Sequence, residues 1–114
     1  MKTILIVEDI ELNIDLLTQI LEDDYNLLVA KDGAQGVELT EEHKPDLVLM
    51  DISLPIMDGY EATRAIRRTL PSLPIIGLSA HAMQGDVEKA KAAGCTDYLT
   101  KPVDEDLLLK KVKE

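Results

Sequence analysis

Four short apolar runs in this chain each stop abruptly on a polar side chain. Thr3–Val7 ends on Glu8 and Asp9, Asp46–Met50 on Asp51, Ile75–Leu78 on Ser79, and Asp97–Thr100 on Lys101 and Pro102. Ile4–Val7, Leu47–Met50 and Ile75–Leu78 are continuously apolar rather than alternating, the pattern of strands covered on both faces. Parallel strands of an open α/β sheet place ligands just outside their carboxyl ends. If these runs are parallel neighbours, three carboxylates, a hydroxyl and an ammonium converge in one crevice.

The segments between the runs read as helices. Leu12, Leu16, Leu17, Ile20 and Leu21 share one helical face, as do Ala62, Ala65, Ile66 and Leu70, with Arg64, Arg67 and Arg68 turned outward. Another helix is predicted near Ala34–His43, after Asp32-Gly33 and before Pro45, with His43 as a partner for its C-terminal dipole. Val87, Ala90, Lys91 and Gly94 form a weak stripe, which predicts a loosely packed helix near Met83–Ala93. The last helix, Asp104–Lys113, is acidic in its first turn and basic in its last. With a further strand at Asn26–Ala30, five strands alternate with five helices. Right-handed crossovers then leave few topologies. The expected fold is α/β, a doubly wound five-stranded parallel sheet in the flavodoxin-like order 2-1-3-4-5. Residues 1–114 are expected to form one domain, and the short final helix leaves room for a longer parent protein.

Composition narrows the function. Twenty-two Asp and Glu against 12 Lys and Arg give a formal charge of −10, a field that repels nucleic-acid phosphates. No apolar run approaches the roughly 20 residues of a membrane span, and the N-terminus lacks the features of a secretory signal. A cytoplasmic protein with no membrane insertion and no direct nucleic-acid partner is expected. Cys95 has no second cysteine to pair with, so it reads as packing.

At this point the chain resembles the receiver domains of two-component response regulators. The resemblance rests on ILIVED at 4–9, LMDISLPIMDG at 49–59, LSA at 78–80 and YLTKP at 98–102, in that order and at those separations. Single-domain regulators and the receivers of hybrid histidine kinases are the nearest in wording. The family implies that Asp51 is the phosphoacceptor, attacking phosphorus to form an acyl phosphate. Glu8, Asp9 and Asp51, with the backbone carbonyl of Ser53, are then the ligands of Mg2+, or of Mn2+ in its place. A divalent cation resolves the repulsion between these carboxylates and an anionic phosphoryl group. Lys101 is implied to pair with Asp51 and later with a phosphate oxygen. Ser79 is implied to bond another phosphate oxygen, and the Lys101-Pro102 peptide bond to be cis. Receivers switch by drawing the hydroxyl, here Ser79, toward the phosphate while an aromatic residue, here Tyr98, fills the vacated space. The surface of the fourth helix, fifth strand and fifth helix is the implied output face. Implied partners are a histidine kinase or histidine phosphotransfer protein and an unidentified downstream protein, with the chain a monomer or weak dimer.

Ser53 and His81 each lie two residues beyond a site residue, where they are expected to tune the phosphoryl lifetime. His81 would make autodephosphorylation pH-dependent. Ile10, with Leu12 and Ile14, offers an apolar contact to a histidine-bearing partner. Asp58 and Gly59 read as a helix start and not as metal ligands. Three rivals fare worse. A flavodoxin-like electron carrier needs a phosphate-holding loop after the first strand, where this chain has Glu8-Asp9-Ile10-Glu11. An aspartyl phosphatase generally carries a second Asp two residues after its nucleophile, where this chain has Ser53. A receiver-like module that works without phosphorylation usually loses part of the set retained here.

Overall fold

The structure is a computed structural model that describes residues 1–54, 56–79 and 84–113, the side chains of 84–86 excepted. Its elements alternate from end to end: β1 (Thr3–Val7), α1 (Glu11–Leu21), β2 (Asn26–Ala30), α2 (Gly33–His43), β3 (Leu47–Asp51), α3 (Gly59–Thr69), β4 (Ile75–Ser79), α4 (Gln84–Ala93), β5 (Asp97–Thr100) and α5 (Glu105–Lys113). All strand pairs are parallel and the order is β2-β1-β3-β4-β5, as expected.

Position in the sheet explains the composition of each strand. Every residue of the inner strands β3 and β4 is buried, and only Thr3 of β1 is not. The edge strands β2 and β5 are mostly part-exposed, which is why their patterns are weaker in the sequence. One face packs Ile4, Ile6, Leu49 and Leu78 against Leu17 and Leu21 of α1 and Leu108 of α5. The other packs Leu5, Val7, Val48 and Met50 against Ala62 and Ile66 of α3 and Ala90 of α4. At about 1.5–3 kcal/mol per fully buried aliphatic side chain, these two layers dominate the hold on the sheet.

The helices differ from expectation in two places. The buried face of α1 is Ile14, Leu17 and Leu21, while Leu12 and Leu16 are 76% and 43% exposed. Leu12 and Leu16 are four apart and form a ridge of their own, rotated off the sheet. Arg67, expected to point outward, is half-buried. Its Nε donates to the Gly94 carbonyl at 2.8 Å and its Nη1 to that of Leu70 at 2.9 Å. The cause is Gly94, whose φ of 110° ends α4 against the Arg67 stem, so close that a Cβ there would meet Arg67 Cγ at 2.7 Å. Asp32 and Asp58 cap α2 and α3 by accepting from Gln35 N and Glu61 N. Among the described residues, no helix is long and apolar enough to cross a membrane.

Ile56, in the loop between β3 and α3, has φ 68° and is 86% exposed. A β-branched residue in the left-handed region is strained by about 1–2 kcal/mol, and this side chain gains little by burial in return. Ile56→Asn, which tolerates that conformation, is expected to raise stability by about 1 kcal/mol. The readout is a higher urea midpoint at unchanged slope, and a lower midpoint would contradict the strain.

Candidate functional site

Strand register assembles the site. Val7 lies opposite Met50, so Glu8 comes level with Asp51; Asp51 lies opposite Leu78, and Ser79 opposite Thr100. Pairing continues just past the strand ends, with Glu8 N donating to Ala30 O at 2.9 Å, Ile52 N to Leu78 O at 2.9 Å and Lys101 N to Ser79 O at 2.7 Å. Glu8, Asp51, Ser79 and Lys101 are therefore fixed by the backbone ladder, at the carboxyl ends where open α/β sheets bind ligands.

Glu8 is fully buried and Asp51 is 2% exposed, while Asp9 stands at the surface. One carboxylate oxygen from each of the three lies within 4.8 Å of the others. Two oxygens on one Mg2+ sit at most about 4.2 Å apart, so a small contraction would close this set around the ion. Hard anionic oxygens, one exposed and two in a crevice, suit a cation that keeps part of its water shell. The residues fit the metal.

Lys101 was expected beside Asp51 and is there, its Nζ 3.3 Å from Asp51 Oδ2, but it lies closer to Glu8 Oε2, at 3.0 Å. It is thus shared between two carboxylates. Its peptide bond to Pro102 is cis, as the resemblance implied. Burial works against the ammonium, but the hydrogen bond it donates to Glu8 and the charges of Asp51 and Glu8 outweigh that and strengthen its hold on the proton. Asp51 is pushed from 3.8 up to about 6, first by burial and then by its hydrogen bond with Glu8 and that residue's charge. Lys101 and the Ser53 amide pull the other way.

Two participants escaped the sequence reading. Asn13 Nδ2 donates to Glu8 Oε1 at 2.9 Å, which orients the buried carboxylate from α1. The Ser53 amide donates to Asp51 Oδ1 at 3.1 Å, a backbone contact that residue type cannot announce. Asn13, five residues after a buried glutamate and at the start of a helix, was the only legible signal of the two.

Ser79 closes β4 and is 4% exposed. Tyr98 is half-buried on the face shared with α3 and α4. Its Cδ2 lies 3.6 Å from where a Gly77 Cβ would stand, and Cys95 Sγ and Ile52 Cδ1 are each 3.4 Å from that point. Cys95 is buried packing, as expected. Asp58 caps α3 and is not in the carboxylate cluster. His81 lies outside the described residues. A cavity of about 240 Å³ lies toward the opposite end of the sheet, lined by Lys2, Tyr25, Asp46, Asp97 and Lys111 among others, and shares no residue with the crevice.

Comparisons with known proteins agree with this geometry. The family model for the response regulator receiver domain matches residues 4–113. The polar-differentiation response regulator DivK of Brucella anthropi is 36% identical over 98% of this chain and 94% of its own length. The receiver domain of the Pseudomonas aeruginosa sensor histidine kinase PA1611, with a magnesium ion coordinated in its active-site cleft, is 39% identical, with a TM-score of 0.91 over 98% of this chain and 94% of that one. The receiver domain of Saccharomyces cerevisiae Ssk1, crystallised with the histidine phosphotransfer protein Ypd1, is 34% identical, with a TM-score of 0.92 over 98% and 86%. The chain belongs to the response regulator receiver family and is a module of two-component signalling.

The raised Asp51 value has a sign that can be tested. Between about pH 4 and 6 the folded state binds this proton more tightly than the unfolded state does, so stability falls as pH rises through that window and is flat above it. A shift from 3.8 to about 6 corresponds to a loss of about 3 kcal/mol. In chelator, Asp51→Asn is expected to be more stable than wild type by about 2 kcal/mol at pH 7.5 and equal to it near pH 4. Parallel urea-stability profiles across that range would contradict the assignment.

Proposed function

We propose that this chain accepts a phosphoryl group on Asp51 from a phosphohistidine donor. The observation that carries the reading is the placement of Asp51: buried at the end of β3, within 3.3 Å of the Lys101 ammonium, and beside the carboxylates of Glu8 and Asp9. An Asp51 oxygen attacks phosphorus, the P–N bond to the donor imidazole breaks, and the freed imidazole nitrogen takes a proton from solvent. Lys101, held between Glu8 and Asp51, is in place to bond a phosphate oxygen once Asp51 becomes an acyl phosphate. Ser79 supplies a hydroxyl for another oxygen. Glu8, Asp9, Asp51 and the Ser53 carbonyl would hold Mg2+, which supplies positive charge against the charge that develops on the phosphoryl oxygens.

Hydrolysis of the acyl phosphate returns the carboxylate, so the chain catalyses its own phosphorylation and slow dephosphorylation without being a turnover enzyme. Movement of Ser79 toward the phosphate and of Tyr98 into the space it leaves would bias the surface of α4, β5 and α5 between two arrangements. The magnesium-bound PA1611 receiver and the Ssk1 receiver bound to Ypd1 support the metal and a histidine phosphotransfer partner for this chain. A cytoplasmic location suits such a partner.

The test is intact mass after incubation with acetyl phosphate and Mg2+. One added phosphoryl group is expected on the wild type, and none on Asp51→Asn or in chelator. No adduct under any condition would reduce the chain to a silent interaction module. Ile10, 52% exposed, directly follows the Glu8-Asp9 pair, and Leu12 is exposed two residues on. Ile10→Asp is expected to slow transfer from a phosphohistidine protein about tenfold and leave the acetyl phosphate rate unchanged. Equal slowing of both would place Ile10 in the chemistry rather than in docking.

A further inference from the structure

The loop between β3 and α3 carries Ser53 and is closed at its base by Gly59 N donating to Ile52 O at 2.9 Å. Its far side rests on another element altogether. Gly33, the first residue of α2, is buried, and a Cβ built on it would stand 2.0 Å from the Met57 carbonyl oxygen and 2.8 Å from the carbonyl carbon. Real Cβ atoms keep at least 3.0 Å, and the obstacle here is backbone rather than a side chain that can swing away. Any residue other than glycine must therefore drive α2 and the loop apart by about 1 Å.

The helix is the less free of the two. Asp32 caps its first turn at 2.8 Å, and the Gln35 side chain accepts from Lys31 N at 2.8 Å, which ties the turn to the end of β2. One turn on, a Cβ on Gly36 would already be 3.0 Å from both Val7 methyls, so α2 lies hard against β1. The loop is held less firmly: Leu54 and Met57 pack against the core only part-buried, and Ile56 is exposed and strained at φ 68°. Displacement falls on the loop. Metal ligands tolerate errors of only about 0.2 Å, so a shift of this size in the segment bearing the Ser53 carbonyl matters.

We propose that Gly33 is a positioning residue for the metal site, setting the height of the β3–α3 loop through the Met57 carbonyl and thereby the affinity for Mg2+. The inference rests on the metal reading above and extends it to a residue of α2 that touches no ligand of the ion.

Mg2+ alone is titrated into wild type, Gly33→Ala and Ile4→Val, followed by amide NMR, with urea stability measured in chelator on the same samples. Ile4→Val trims a core residue near the start of β1, away from the crevice. Gly33→Ala is expected to raise the Mg2+ dissociation constant about tenfold, while Ile4→Val loses stability and binds as wild type does. Phosphorylation of Gly33→Ala by acetyl phosphate should recover toward the wild-type rate at saturating Mg2+, the split that a general loss of structure would not produce. Gly33→Ala that is destabilised yet binds Mg2+ normally overturns the proposal. If the variant is unfolded in buffer, concentrated sucrose favours the folded state and the titration is read there. Failure to fold even then makes Gly33 a requirement of folding and also overturns it. Wild type that takes up no Mg2+ removes the metal reading itself, an outcome distinct from normal binding by Gly33→Ala.

Discussion

Two acidic side chains buried side by side are the constraint on which this structure turns. Glu8 and Asp51 sit level with one another because β1 and β3 pair in that register, and neither can move away without breaking the ladder. Lys101 is the described cation placed between them, 3.0 Å from one and 3.3 Å from the other. One ammonium against two buried carboxylates, with a third at the rim, leaves the crevice short of positive charge. That deficit is a cost to the fold and an invitation to a divalent cation. The same deficit raises Asp51, because burial and Glu8 outweigh Lys101.

Everything around the crevice can be read as support for that cluster. Asn13 fixes Glu8 from α1 and the Ser53 amide fixes Asp51 from the following loop. After Thr3 the inner strands carry only apolar residues up to their carboxyl ends, where Glu8, Asp51 and Ser79 follow or close them, so the polar groups emerge where the apolar layers stop. The sheet thus separates two tasks along the length of each strand: five or so residues of core, then one residue of chemistry. This division explains why the carboxyl ends and not the amino ends hold the charged cluster, although a cavity of about 240 Å³ lies at the amino side.

The fold was legible because parallel inner strands leave a plain trace. Ile4–Val7, Leu47–Met50 and Ile75–Leu78 are too continuously apolar to be anything exposed on one side. The polar residues that stop those runs are the ones the register brings together in the crevice, so one pattern pointed to both fold and crevice. What the sequence hid depends on backbone geometry and on rotation about helix axes. Spacing groups Leu12 and Leu16 on one face with Leu17 and Leu21, because it alone cannot say which of two adjacent apolar ridges faces the sheet. Arg67 looked like a solvated arginine until Gly94 was seen to turn its carbonyl toward α3. The contact of Gly33 with Met57 joins residues 24 positions apart through a carbonyl, which no side-chain pattern encodes.

The two flanks of the crevice are built with different stiffness, and this bears on how a change at Asp51 could travel. On one flank α2 meets the β3–α3 loop through Gly33 and β1 through Gly36, and α3 meets the end of β3 through Gly59, each with backbone or core atoms where a side chain would be. Such contacts leave no slack, so that flank can only fix geometry. On the other, α4 presents Ala90 and Ala93 to the core, small side chains that forgo most of the burial energy a leucine would bring. Its C-terminal end is nevertheless held, by Arg67 on the Gly94 carbonyl and on Thr96 Oγ1. A helix that meets the core through alanines in its second half and is tied at its far end is suited to pivot there. Tyr98 packs over Gly77, two residues before Ser79 on the same strand, where a Cβ would meet the ring only at ordinary contact distance, 3.6 Å. Close backbone contacts next to the carboxylate cluster and small side chains beneath α4 are complementary demands: the first keeps the carboxylates in register, and the second would let a sub-ångström change at Asp51 shift a surface.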